Sequence, residues 1–198
     1  MPSRLPVLKT PALIQAYLDD TPYSAEDRYR CPLSVVRDRK AHCFDGAVFA
    51  AAMLRRLGHP PRIVDLLPND RDDDHMLALF KLDGRLGAVA KSNFSGLRYR
   101  EPIFRNLREL VLSYFEDYFN SAGEKTLRAY TVSLNLARFD QQDWLARDET
   151  MDTIASALDT IRKVPLITKH MARRLQPVDP LTLKAGLLGS NPDGLFKL

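Results

Sequence analysis

The sequence predicts an α+β fold: a helix carrying a cysteine, packed on a small antiparallel sheet, with additional C-terminal helices. Three observations lead there. An alanine-rich stretch opening at Cys43 repeats its apolar residues at helical spacing. Two short apolar runs follow, Arg62 to Leu67 and His75 to Leu82. The second run ends on Asp83-Gly84, a strong hairpin signal, so the order is helix, strand, hairpin.

Taken along the chain, Thr10 and Pro11 read as an N-cap and a first helical residue, with Leu13, Ile14 and Leu18 at helical spacing behind them. Residues 20–42 are charged and irregular, broken by Pro22 and Pro32, and Leu33, Val35 and Val36 anchor a short buried turn. From Cys43 the pattern clears: Ala47, Val48, Ala51, Leu54 and Leu57 recur at three and four residues. Gly58 stops this helix and His59-Pro60-Pro61 enforces the exit. The acidic stretch from Asn69 to Asp74 reads as a loop, and Leu86 to Ala90 as the strand returning from the hairpin.

Beyond a polar stretch, Lys91 to Arg100, an amphipathic segment runs from Pro102 to Asn120, with Leu107, Leu110, Val111, Tyr114, Phe115 and Tyr118 on one side. Thr126 to Phe139 alternates like a strand, and Asp140 to Lys163 returns to helical spacing through Ile154, Leu158 and Ile161. Pro165, Pro177, Pro180 and Pro192 predict a mostly irregular tail. The division expected is one α+β domain over residues 1–163 and a proline-containing tail over residues 164–198.

Composition bounds the function. The chain has 198 residues, 45% hydrophobic and 27% charged, which is ordinary for a globular domain able to bury its own core. Its 29 Lys+Arg against 25 Asp+Glu leave a formal charge of only +4. No Lys/Arg run is interleaved with aromatics, so no nucleic-acid partner is expected. No stretch is long and apolar enough for a membrane span, and the two cysteines, Cys31 and Cys43, build no disulfide framework. A cytoplasmic protein with free thiols is the reading these features give.

Cys43 is the candidate chemical centre. A helix N-terminus holds unpaired N–H groups and a partial positive charge, which lower a thiol's pKa and can receive an oxyanion. Free cysteine is also among the most buried residue types, so position alone leaves a structural thiol as the competing reading. The partner shifts the balance. His75 opens a strand directly after Asp72-Asp73-Asp74, where an imidazole can serve as base to a thiol at a helix start. His59 lies in a turn, His42 points away from its neighbour Cys43, and His170 lies in the basic tail. At the end of the returning strand, Asn93 is the expected orienter of the imidazole, with Ser92 as the alternative. Arg98 and Arg100 are candidates for holding an anionic group of a substrate. A metal site from Cys43, Asp72, Asp74 and His75 is the weaker rival, because paired ligand spacing is lacking.

These residues, in this order, resemble the transglutaminase-like superfamily of papain-like cysteine enzymes. The resemblance rests on Cys43-Phe44-Asp45-Gly46-Ala47, on the join from Leu54-Arg55-Arg56-Leu57-Gly58 through Pro60-Pro61-Arg62-Ile63-Val64, and on the His75 strand with its hairpin. It covers residues 33–95. The family's usual third residue, an Asp, is absent: Ala90, Lys91, Ser92 and Asn93 stand in its place. The resemblance implies acyl transfer through Cys43, His75 and Asn93 on a peptide, amide or small acyl substrate, with hydrolysis ahead of cross-linking and no metal or cofactor required. The missing Asp favours the alternative, a catalytically silent module of the same fold that binds a peptide or partner protein.

Overall fold

The computed structural model describes residues 5–198. Helix α1 (Pro11–Asp19) starts as its sequence predicts, with Thr10 Oγ1 accepting from the N–H of Leu13 at 3.2 Å. The buried turn expected around Val35 is a helix, α2 (Pro32–Asp38), with proline at its first position. Then comes α3 (Cys43–Arg56), whose residues from Phe44 to Leu54 are all buried. A helix so uniformly buried needs small side chains on its close contacts, which its four alanines supply.

Strands β1 (Arg62–Pro68), β2 (His75–Leu82) and β3 (Arg85–Val89) follow as an antiparallel meander. The amphipathic segment from Pro102 to Asn120 divides: β4 (Arg100–Phe104) extends the meander, and only α4 (Leu107–Leu112) is helical. Its apolar side chains still share one core. Past Leu112 the chain turns because the Tyr114 and Tyr118 hydroxyls reach backbone carbonyls of Arg98 at 2.8 Å and of Asp73 at 2.8 Å. Strands β5 (Leu127–Thr131) and β6 (Leu134–Asn135) both pair with β1. Helix α5 (Glu149–Thr160) is shorter than the Asp140–Lys163 pattern, and a 3-10 segment, Leu136–Gln142, takes up the end of the stretch expected as a strand to Phe139 and the first residues of that pattern.

The sheet order is β4-β3-β2-β1-β5-β7, with β6 beside β1. Its last strand, β7 (Lys163–Pro165), crosses the expected division at residue 163 and pairs with β5. The tail then carries two short helices, α6 (Lys169–Ala172) and α7 (Pro180–Gly186). Ile63, Met76, Ala78, Phe80 and Val89 face α1, α2, α3 and α5 in one core; Val64, Leu66, Leu77, Leu79 and Ala88 face α4 and its neighbours in another. Cover on both faces explains why β2 is apolar almost throughout instead of alternating. No helix among the described residues is long and apolar enough to cross a membrane.

Candidate active site around Cys43

The start of α3 is fixed by its own capping residues. His42 Nδ1 accepts from the N–H groups of Phe44 (3.2 Å) and Asp45 (3.5 Å), and the Asp45 carboxylate accepts from the His42 N–H at 3.3 Å. That reciprocal cap holds the His42 side chain on the helix end. Burial, assisted by Arg30, pushes the His42 pKa down to about 4, so the capping imidazole is neutral. Asp45 itself is anchored by the buried Arg30, whose backbone N–H donates to it at 2.7 Å and whose guanidinium lies 3.5 Å away.

Cys43 is half-buried, and its Sγ donates to the carbonyl of Asp74 across 3.8 Å. The expectation of a lowered thiol pKa is overturned. Desolvation pushes the Cys43 thiol well above its ordinary range, and the carboxyls of Asp74 and Asp65 push it further. The Phe44 N–H acts the other way and is outweighed. Cys43 therefore rests as a neutral thiol.

His75 opens β2 as expected and is buried. Its Nε2 meets the carbonyl oxygen of Leu97 at 2.7 Å. A carbonyl only accepts, so Nε2 carries the proton and Nδ1 keeps its lone pair. Burial lowers the His75 pKa to about 4, with the Leu97 carbonyl opposing the shift and Arg100 adding to it. Cys43, His75, Ser92 and Asn93 all border one small cavity of ≈ 40 Å³.

Neither Asn93 nor Ser92 orients the imidazole. Asn93 donates to the carbonyls of Asn191 (2.9 Å) and Gly194 (3.0 Å), and accepts from the Asn191 N–H at 2.7 Å. Its amide thus stitches the segment 191–196 across the site, where Gly194 and Phe196 also border the Cys43–His75 cavity. A Cβ at Gly194 would stand 2.8 Å from the Tyr23 ring, so this strap lies as close as it does for want of a side chain. Ser92 Oγ accepts from the Phe94 N–H at 3.0 Å and closes a local turn. Lys91, at the end of the returning strand, is buried and donates to the carbonyls of Leu18 (2.8 Å) and Thr21, capping the exit from α1.

Arg98 and Arg100 border neither this cavity nor the larger cleft beside it. Arg98 pairs with Asp19 at 3.3 Å, and Arg100 lies 4.0 Å over the Tyr114 ring while bonding Ser113, Gly96 and Asp117. Their guanidinium groups brace the fold away from both spaces. Among the described residues no three His, Cys, Asp or Glu side chains converge to hold a metal ion.

Three contributors escape a reading by sequence spacing. Tyr23 reaches the site because Ala41 donates its N–H to the Pro22 carbonyl at 3.2 Å while its own carbonyl accepts from the Ser24 N–H at 3.1 Å. This bridge sets the phenol against the backbone and thiol of Cys43. Burial raises the phenol's pKa, and Cys43 and Asp73 raise it further, so it remains protonated. The Leu97 carbonyl is backbone and carries no residue signature at all. Asp65 did leave a signal: a carboxylate inside the apolar run Ile63-Val64-Asp65-Leu66 belongs on a buried strand only for a reason.

Against known proteins, residues 6–87 match the family model described as the transglutaminase-like superfamily, a span that includes Cys43 and His75 and ends before Ser92 and Asn93. No curated protein matches the chain. A helix opening at Cys43, followed by the antiparallel strands of which His75 begins the second, gives that match its structural counterpart. Over residues 6–87, then, the chain is similar to the transglutaminase-like superfamily.

Proposed function

We propose that this protein is a cysteine-dependent acyl-transfer enzyme of hydrolase type, acting on an amide or ester through Cys43 and His75. The observation that carries the reading is the shared cavity: a thiol at the first position of a helix and an imidazole whose Nε2–H is held by Leu97 border the same space. In the proposed cycle both partners start neutral. As Sγ bonds to the substrate carbonyl carbon, the S–H proton passes to His75 Nδ1. The carbonyl oxygen, now an oxyanion, takes hydrogen bonds from the Tyr23 phenol and the Cys43 backbone N–H. The imidazolium returns its proton to the leaving amine or alcohol as that bond breaks. Water, giving its proton to the same imidazole, then splits the thioester and regenerates the thiol.

The Leu97 carbonyl takes the part an Asp or Asn plays elsewhere, fixing the tautomer without a charge. A peptide or small acyl substrate suits the partly open Cys43, and cytoplasmic residence agrees with two unpaired thiols. The test is trapping: incubation with an activated ester should give an acyl adduct on Cys43 by intact mass, absent in Cys43→Ala and at least ~10²-fold slower in His75→Ala. A Cys43 that acylates equally fast in both proteins, or not at all, defeats the proposal. The second reading, a silent module that binds a peptide, draws on the strap over the cavity and on the neutral thiol; it expects peptide binding unchanged in Cys43→Ala and no adduct.

A further inference from the structure

Cys43 borders two spaces, and the second is a cleft of ≈ 380 Å³ whose polar lining is mostly acidic. Asp27, Asp65, Asp73, Asp74, Asp159 and Asp193 line it, and none of them makes an ion pair with a described Lys or Arg within 4.0 Å. Glu26 lines it too but spends its carboxylate on Arg30 and Lys40. Arg28, the basic side chain of the lining, is drawn to Asp148 at 2.6 Å and Asp38 at 3.4 Å.

Acidic residues gather on surfaces for many reasons, so the decisive feature is Asp65. It is 6% exposed, sits on the α3 face of β1 opposite Met76, and its Oδ1 has no hydrogen-bond partner. A buried carboxyl without a partner is costly unless something absent from the free protein pairs with it. Beside it the cleft wall is apolar: Phe44, Met76, Ala155 and Leu158. Apolar walls leading to an unpartnered carboxyl, with more carboxylates around it, fit an alkyl stem ending in a cation.

We propose that the cleft selects substrates bearing an alkylammonium or alkylguanidinium group next to the carbonyl attacked by Cys43, as in a peptide with a lysine or arginine side chain. This specificity rests on the acyl-transfer reading above for what happens next, though the binding itself does not. The stem would lie along Met76 and Leu158, and the cation among Asp65, Asp74 and Asp159. The groups facing it are these three, Asp73 from the same loop, the Tyr23 phenol, the Cys43 thiol and, from β7, the Lys163 ammonium, which acts against it. Desolvation and Asp74 push the Asp65 carboxyl up to about 9, so cation binding releases protons near neutrality.

The experiment is calorimetric titration of Cys43→Ala protein with Nα-acetyl-lysine methylamide and with its norleucine counterpart, which keeps the stem and lacks the charge. The lysine compound should bind about 10-fold tighter or better, and Asp65→Asn and Asp159→Asn should each erode that preference. Asp159 is exposed on α5, so its variant tests the cleft even if a change at Asp65 disturbs β1. Equal binding of the two compounds, no binding of the lysine compound, or a preference untouched in both variants overturns the proposal. Selective binding without any acyl adduct on the parent protein would remove the enzyme reading and leave this one standing. Turnover of neutral and basic substrates alike, with no selective binding, would do the reverse.

Discussion

Replacing Asp65 by asparagine should make the protein gain stability relative to the parent as pH rises, contrary to the usual consequence of removing a native carboxylate. An ordinary aspartate titrates at 3.8; burial and the Asp74 charge bring Asp65 to about 9 in the folded chain. The native state therefore holds a proton that the unfolded chain has released. Its contribution to stability is fully present below 3.8 and is lost as pH rises toward 9. Each pH unit in that window costs the parent ~1.4 kcal/mol, so three units amount to roughly 4 kcal/mol as an upper bound. Relaxation around the pair with Asp74 brings the expected gain to about 2–4 kcal/mol. The amide leaves unpaired groups of its own, a penalty of about 1–3 kcal/mol that does not vary with pH. The diagnostic is therefore the slope: urea unfolding of both proteins between about pH 5 and pH 8 should show the difference moving steadily in favour of Asp65→Asn. Parallel stability curves would refute the reasoning, because they would mean that Asp65 ionises as it does in water.

Other perturbations reach different parts of the site. Tyr23→Phe should lower kcat about 10²-fold with little change in KM, since the phenol meets the oxyanion rather than the ground-state substrate; steady-state hydrolysis of an activated ester measures it. His75 must be neutral to act as base, so kcat/KM should persist as pH falls and collapse only near 4, and an acid limb at the ordinary 6.5 would contradict the burial of the imidazole. Arg30→Met removes the cation from Asp45, Asp38 and Glu26 at a position 1% exposed, and should cost about 3 kcal/mol in urea unfolding, tempered because Asp45 takes up a proton near 7. Gly46→Ala would bring a Cβ to 2.2 Å from the Lys91 Cβ, so α3 must shift; a loss of about 1–3 kcal/mol by thermal unfolding is expected.

What could be read from the sequence is what periodicity and local punctuation control. The α3 helix, β1, the hairpin and the position of His75 all follow from spacings within a dozen residues, and the structure reproduces them. The segment from Pro102 to Asn120 shows the limit. Its apolar residues are indeed buried together, yet the helix ends at Leu112 because tyrosine hydroxyls find carbonyls far away in sequence. Asn93 was legible as a residue at the site's edge but not as the anchor of the strap, whose partner lies 98 positions on. The thiol's electrostatics lie beyond local spacing for the same reason. A helix terminus is a local feature, whereas Asp65 and Asp74 come to Cys43 through the sheet.

The protonated resting state of Cys43 bears on how the protein meets oxidants. Peroxide attacks thiolates, and the first rung toward sulfenic acid depends on how much thiolate is present. A thiol kept neutral chiefly by burial, with Asp74 and Asp65 adding to the shift, offers little of it. Cys43 would thus tolerate aerobic handling without added reductant far longer than a cysteine held as a thiolate–imidazolium pair, and would become vulnerable only when a cation in the cleft, or a substrate at His75, draws its proton away.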